Sequence, residues 1–260
     1  DVSTIVKTLK PDHIYFFSAF HQSSSENLHS TPEFIKKSVN INVDAFLNFL
    51  LSVKNFSKQT RVLYASSCHI FGNPSEWPQT EKTVYNPISI YGITKMNGLS
   101  LCDYFRSNHG LFISAAILYN HESNYRKINF VSKKIISSAV QIKRGLTDKL
   151  VLGDFSIKVD WGYAKEYVDA MYRILSLNES NNFIISSGKS VNLTEFINSA
   201  FSFLDLDWKD YVTSDESLLK RPPQGKLYGD FSKLKKETGW TPKVNIKLLA
   251  ELMVKEELKI

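Results

Sequence analysis

"SIYGITKMNGLSLCDYFRSNHGLFISAAILYN", residues 89–120, sets a helix signal directly before a strand signal, and that succession decides the fold. Leu99, Cys102 and Phe105 recur at the spacing of one buried helix face. The run "LFISAAILYN" is continuously apolar, as a strand covered on both faces must be. The same alternation extends in both directions. Upstream, "HIYFF" (13–17) reads as a buried strand, followed by the polar loop "SAFHQSSSENLHST", a long helix over about 32–55 and a second strand, "RVLYAS". Downstream come a helix in "FVSKKIISSAVQIKRG", a short strand in "KLVLG" and a helix in "AKEYVDAMYRILSL". Continuously apolar strands separated by helices predict a doubly wound parallel α/β sheet. The chain opens on "DVSTIVKTLKPD", where Asp1 can cap a short helix with Val2, Ile5, Val6 and Leu9 on its apolar face and Pro11 at its end. From about residue 190 the character changes to helices joined by a loop around "KRPPQGK", which predicts a smaller lobe over the carboxyl ends of the strands.

The 260 residues, 43% hydrophobic and 22% charged, suit one large or two small globular units. A net charge of +6 and a pI near 9.1 are spread along the chain, which fits small anionic ligands, and no nucleic-acid-binding motif accompanies them. Cys68 and Cys102 stand far apart with no His at metal-ligand spacing, so neither a disulfide framework nor a metal site is expected. A reducing cytoplasm fits. No run approaches the length of a membrane span and the start has no signal-peptide pattern, so neither a membrane nor the secretory route is expected.

Tyr91 and Lys95, four apart on the predicted helix, lie on one face, so a phenol and an ammonium can reach a common point. Chance yields about one Tyr-x-x-x-Lys in a chain of this composition, so the pair alone does not separate chemistry from solvated helix surface. The neighbours decide. "YASSCHIFG" at a strand end, followed about twenty residues later by "YGITK", resembles the extended short-chain dehydrogenase/reductases, whose active-site Ser or Thr precedes Tyr-x-x-x-Lys by that interval. Within them the blocks "PDHIYFFSAF", "SIYGITK", "ILYNHES", "FVSKKI", "LVLGD", "VDWGYAKEYV" and "GDFSKLKKETGWTPKV" resemble, in their usual order, the GDP-mannose 4,6-dehydratase family. The resemblance runs over nearly the whole chain.

This resemblance implies a Rossmann-like sheet that lacks its first βαβ part, with 1–122 and 150–186 forming the nucleotide-binding domain and 123–149 and 187–260 a substrate-binding lobe. Family members begin with a Gly-rich turn at a helix N-terminus that receives the cofactor pyrophosphate. None of the 11 glycines here forms such a turn, the first being Gly72, so the chain is expected to bind a dinucleotide poorly by itself. The implied cofactor is NADP, with NAD as the alternative, and the implied substrate is GDP-mannose or a related nucleotide sugar. Pairing through the long helices before and within the Tyr/Lys segment implies a homodimer or homotetramer.

Residue by residue, the resemblance implies that Tyr91 takes the sugar O4 proton as hydride leaves C4, that Ser67 hydrogen-bonds the same oxygen, and that Lys95 lowers the Tyr91 pKa and holds the nicotinamide ribose. His69 stands where the family places a Glu for the elimination of water; imidazole can take a proton and return it, so His69 is the candidate acid/base, or else a pocket lining in an enzyme that only oxidises, reduces or epimerises. Phe17, Ser18, Ala19, Phe20 and His21, with Phe34, are implied to lie against the cofactor, although Phe17 and Phe20 alone would read as core packing. His121 and Arg126 are implied cofactor contacts and Asn120 a substrate contact. Lys134 and Arg221 are candidates for the diphosphate, because charge-assisted contacts to phosphate favour such cations. Two departures, Val159 for the family's Arg and Gln224 near the place of its acidic residue, both fall at the nucleotide-sugar end. A 4-keto reductase or epimerase, and a non-catalytic nucleotide-sugar-binding relative, stay open as alternatives.

Overall fold

The computed structural model describes residues 2–21, 31–218 and 226–260. In chain order its elements begin α1 (Val2–Leu9), β1 (His13–Phe16), α2 (Pro32–Val39), α3 (Ala45–Phe56), β2 (Arg61–Ser67), α4 (Ile90–His109), β3 (Ile113–Leu118) and β4 (Asn120–Glu122). They continue α5 (Val131–Lys143), β5 (Leu150–Leu152), β6 (Lys158–Val159), β7 (Trp161–Tyr163), α6 (Ala164–Leu175) and β8 (Asn182–Ile185). The last are β9 (Val191–Asn192), α7 (Leu193–Ser202), β10 (Val212–Ser214), α8 (Ser232–Thr238) and α9 (Ile246–Glu257).

Four strands form one parallel sheet in the order β1-β2-β3-β8. Side chains of a strand alternate between faces, and here both faces are buried. Val62, Tyr64, Ala115 and Ile117 pack with Phe46, Leu50 and Val53 of α3 and Leu99, Cys102 and Phe105 of α4. Their neighbours Leu63, Ala65, Ala116 and Leu118 pack with Ala170, Met171 and Ile174 of α6 and Leu234 of α8. This is the doubly wound arrangement predicted from the apolar runs. The strand β8, in "NNFII", was not predicted, yet it forms an edge of the sheet.

A further cluster joins α5, α7 and α9, with Ile135, Ile136, Phe196, Phe201, Leu249 and Met253 at its centre. "KLVLG" reads as a strand of the nucleotide-binding domain, but β5 pairs with β10. Leu150 and Leu152 are buried with α5 and α7, while Val151, on the other face, is exposed.

Local chemistry fixes the helix that carries the Tyr/Lys pair. Ser89 accepts a hydrogen bond from the Gly92 amide at 3.1 Å and starts α4 in register, and Gly110 ends it in the left-handed region. A Cβ at Gly92 would lie 2.6 Å from the His69 carbonyl oxygen, so only glycine lets the first turn of α4 close on the segment after β2. The single helix predicted over 32–55 is α2 and α3 joined by a π-helical segment, Asn40–Asp44. Such an inserted residue redirects one side chain, here Asn42, inward.

Candidate active site

Ser67 is the last residue of β2, and the short 3-10 helix Cys68–Ile70 turns the chain out of the sheet so that His69 faces the start of α4. Ser67 is buried, and its hydroxyl accepts from the His69 amide at 3.3 Å. Tyr91 sits in the first turn of α4, and Lys95 one turn further along lies beneath it, its ammonium 5.8 Å from the Tyr91 ring centroid. Ser67 and Tyr91 share a side-chain hydrogen bond. The His69 ring meets Tyr91 edge-on at 5.7 Å, and the His21 ring does so at 4.4 Å. Ser67, His69, Tyr91, Lys95 and His21 therefore converge on one point at the carboxyl end of β2, where ligands sit in sheets of this kind.

The electrostatics differ from the expectation that Lys95 makes Tyr91 acidic. Burial pushes the Tyr91 phenol up to about 12, the Cys68 thiol beside it adds to the rise, and the hydrogen bond with Ser67 and the charge of Arg126 pull the other way. Lys95 is not among the groups that lower it; its ammonium donates to the Ala65 carbonyl at 2.8 Å and loses its proton before the phenol does. Burial in turn brings Lys95 down to about 8. An ammonium carries three N–H donors, and the Ala65 carbonyl takes one. A buried cation with donors to spare is suited to the hydroxyls of a ribose, so these residues fit the nicotinamide end of a dinucleotide. No Gly-rich turn suited to a pyrophosphate is present among the 11 glycines.

Asn42 is a residue that the sequence reading missed. It is buried; its side-chain oxygen accepts from the Phe20 amide at 2.6 Å, and its amide nitrogen donates to Phe20 O at 3.2 Å and to Thr94 Oγ1 at 2.9 Å. Thr94 in turn donates to the Tyr91 carbonyl at 3.0 Å. This chain of bonds ties the loop after β1 to the first turn of α4. Its only sequence signal is a polar residue on the apolar face of a helix.

The other predicted residues are placed as follows. Phe17, Ser18 and Ala19 are exposed beyond β1, with Phe17 stacked on Tyr15 at 6.1 Å, and Phe20 packs against Phe34 at 5.3 Å. His121, on β4, is held by a 2.9 Å hydrogen bond between Nδ1 and the Tyr119 carbonyl, which makes Nδ1 the donor. Burial lowers its pKa. Arg126 is committed to Glu122, with Nε and Nη2 donating to the two carboxylate oxygens at 3.0 and 3.1 Å, while its guanidinium lies 4.1 Å from the Phe130 ring centroid. Ser132 also donates to that buried Glu122 carboxylate. Asn120 is exposed at the start of β4. Lys134 lies on α5, and its ammonium donates to the Val151 carbonyl at 2.7 Å. Arg221 and Gln224 lie outside the described residues. Among the described residues no group of three or more His, Cys, Asp or Glu could hold a metal ion, and no helix is long and apolar enough to cross a membrane.

Comparison with known proteins gives consistent matches. A family model described as GDP-mannose 4,6 dehydratase matches residues 1–253. GDP-mannose 4,6 dehydratase 2 of Arabidopsis thaliana is 33% identical over 256 residues, covering 98% of this chain and 68% of its own length. GDP-mannose 4,6-dehydratase of Vibrio cholerae is 29% identical over 289 residues, covering all of this chain and 76% of its own. Among solved structures, RMD from Pseudomonas aeruginosa complexed with NADPH superposes with a TM-score of 0.83 at 23% identity, covering 96% of this chain and 82% of that one. At this identity the superposition speaks for the fold.

Proposed function

The chain belongs to the GDP-mannose 4,6-dehydratase family, and from that premise we propose that it is a nucleotide-sugar 4,6-dehydratase converting GDP-mannose to GDP-4-keto-6-deoxymannose with NADP, NAD being the alternative cofactor. The observation that carries the reading is the convergence of Ser67, Tyr91 and Lys95, with His69 facing the same point. When bound, the nicotinamide supplies a hydride acceptor and later a hydride donor, so the overall change is loss of water without net oxidation. Tyr91 takes the proton of the hydroxyl being oxidised. A phenol held near 12 in the protein alone performs this only when positive charge stands beside it, which is how nearby cations favour the charged form of an acid. Ser67, bonded to the phenol, holds the same sugar oxygen, and Lys95 holds ribose hydroxyls with its remaining donors. His69 removes the proton adjacent to the resulting ketone, since imidazole exchanges protons readily near neutral pH.

Phe17, Ser18, Ala19, Phe20, His21, Phe34, His121 and Arg126 belong to the proposed cofactor side. Asn120, Lys134 and Arg221 belong to the proposed substrate side, with 123–149 and 187–260 as the substrate-binding part. A cytoplasmic location, with which two buried free cysteines agree, and a homodimer or homotetramer complete the proposal. His69 in place of the family's Glu favours one second reading, a 4-keto reductase or epimerase. Incubation with GDP-mannose and millimolar NADP, followed by mass spectrometry, separates them. A product lighter by one water supports dehydration; its absence across a panel of nucleotide sugars defeats it, and a product of unchanged mass with inverted C4 supports epimerisation.

A further inference from the structure

The rings of His21 and His69 lie 6.3 Å apart, and both meet the Tyr91 ring edge-on, at 4.4 and 5.7 Å. His21 is the nearer of the two, and it follows Phe20, whose backbone Asn42 ties to Thr94 of α4. The Phe130 ring lies parallel to His21 at 6.3 Å, and the Arg126 guanidinium lies against that same Phe130 ring. Among the described residues, His21 is faced by the Tyr91 phenol from α4 and the His69 imidazole from the 3-10 helix, with the Arg126 cation beyond Phe130.

We infer that His21 and His69 work as a coupled acid–base pair and that His21 is a second catalytic group of the elimination. This rests on the dehydratase reading above. Elimination of water needs two proton movements at neighbouring carbons, and one group alone must release its proton at the right moment to serve both. Two imidazoles whose ring centres lie 6.3 Å apart divide the work. The neutral ring takes the proton from the carbon beside the ketone, the C–H electron pair becomes the new carbon–carbon double bond, and the carbon–oxygen bond of the neighbouring hydroxyl breaks. That hydroxyl leaves as water with the proton of the charged ring. No electron is gained or lost, and the pair ends with its charges exchanged. Repulsion between two like charges at this distance favours the singly protonated pair near neutral pH, which is the state the step requires.

The test compares wild type with His21→Gln in two ways. At millimolar NADP, turnover of GDP-mannose to the dehydrated product is expected to fall by about 10²- to 10⁴-fold, and the bell-shaped pH profile to lose one limb. Turnover within threefold of wild type with both limbs intact overturns the inference. The second measurement, on the protein without cofactor or sugar, follows His69 by NMR titration. Removing a charge-bearing neighbour at this separation should raise the His69 midpoint by about 0.5 to 2 units, and an unmoved midpoint overturns the coupling. If wild type itself dehydrates no nucleotide sugar, the functional reading fails, and the titration still decides whether the two rings are coupled.

Discussion

Lys95→Met is expected to make the protein more stable while removing its chemistry. The side chain is buried to 2% exposure and its ammonium has one described acceptor, the Ala65 carbonyl at 2.8 Å. Burial lowers its pKa from 10.5 to about 8, a drop of about 2.5 units worth about 3.4 kcal/mol against the folded state wherever the lysine is charged. Met keeps the length and buries no charge, but it leaves the Ala65 carbonyl without that donor, at a cost of about 1 kcal/mol. At pH 7 the variant should therefore be more stable by about 2 kcal/mol. The sign then reverses with pH. Between 8 and 10.5 the unfolded lysine keeps its proton while the folded one has lost it, so folding of wild type gains stability across that window. By about pH 10.5 wild type should be the more stable by about 1 kcal/mol. Urea denaturation of both proteins at pH 7, 8, 9 and 10 reads the difference directly. Using the difference also cancels the buried thiols and phenols, whose raised pKa values destabilise both proteins alike as pH rises. A variant less stable than wild type at pH 7, or a difference that does not change with pH, refutes the reasoning.

Asn42→Ala removes three hydrogen bonds of the loop-to-helix tie and should cost about 3 kcal/mol; hydrogen exchange at the Phe20 amide should speed up, and unchanged protection there would show that the tie is unimportant. Tyr167 has a buried hydroxyl without a hydrogen-bond partner, so Tyr167→Phe should raise stability by about 1 kcal/mol or more in a urea melt, where a loss would mean that the hydroxyl is satisfied. Asp160 is buried, and burial lifts its carboxyl from 3.8 to about 6 although the Ser187 and Gly229 amides donate to it at 2.8 and 3.1 Å. Its folded state holds the proton more tightly than the unfolded state, so its contribution should fall by about 3 kcal/mol as pH rises from about 4 to 6. Asp160→Asn should lack that slope, and an identical slope in both proteins would place the titration elsewhere.

The fold was legible where a run was long and its covering was uniform. β2, β3 and the helix between them announce themselves through Val62 to Ser67, through Leu99, Cys102 and Phe105, and through Ile113 to Leu118. β8 was not legible, because the three apolar residues between "NN" and "SSG" carry no periodicity that separates a strand from a loop. β5 has the composition of a sheet strand, but composition does not name a partner, and its partner β10 lies sixty residues away in sequence. The Tyr91 and Lys95 pairing could be read from helical spacing. The direction of their electrostatics could not, since it depends on how fully both side chains leave water. Asn42 and His21 acquire their places only through contacts between distant segments.

Tyr91→Phe removes one oxygen atom from the centre of the site and leaves the packing of α4 in place. With GDP-mannose and millimolar NADP, its turnover should fall by about 10²- to 10⁴-fold, while calorimetry shows the sugar nucleotide binding as it does to wild type. Dehydration by Tyr91→Phe at the wild-type rate would mean that the phenol moves no proton, and the site built around it would have to be read another way.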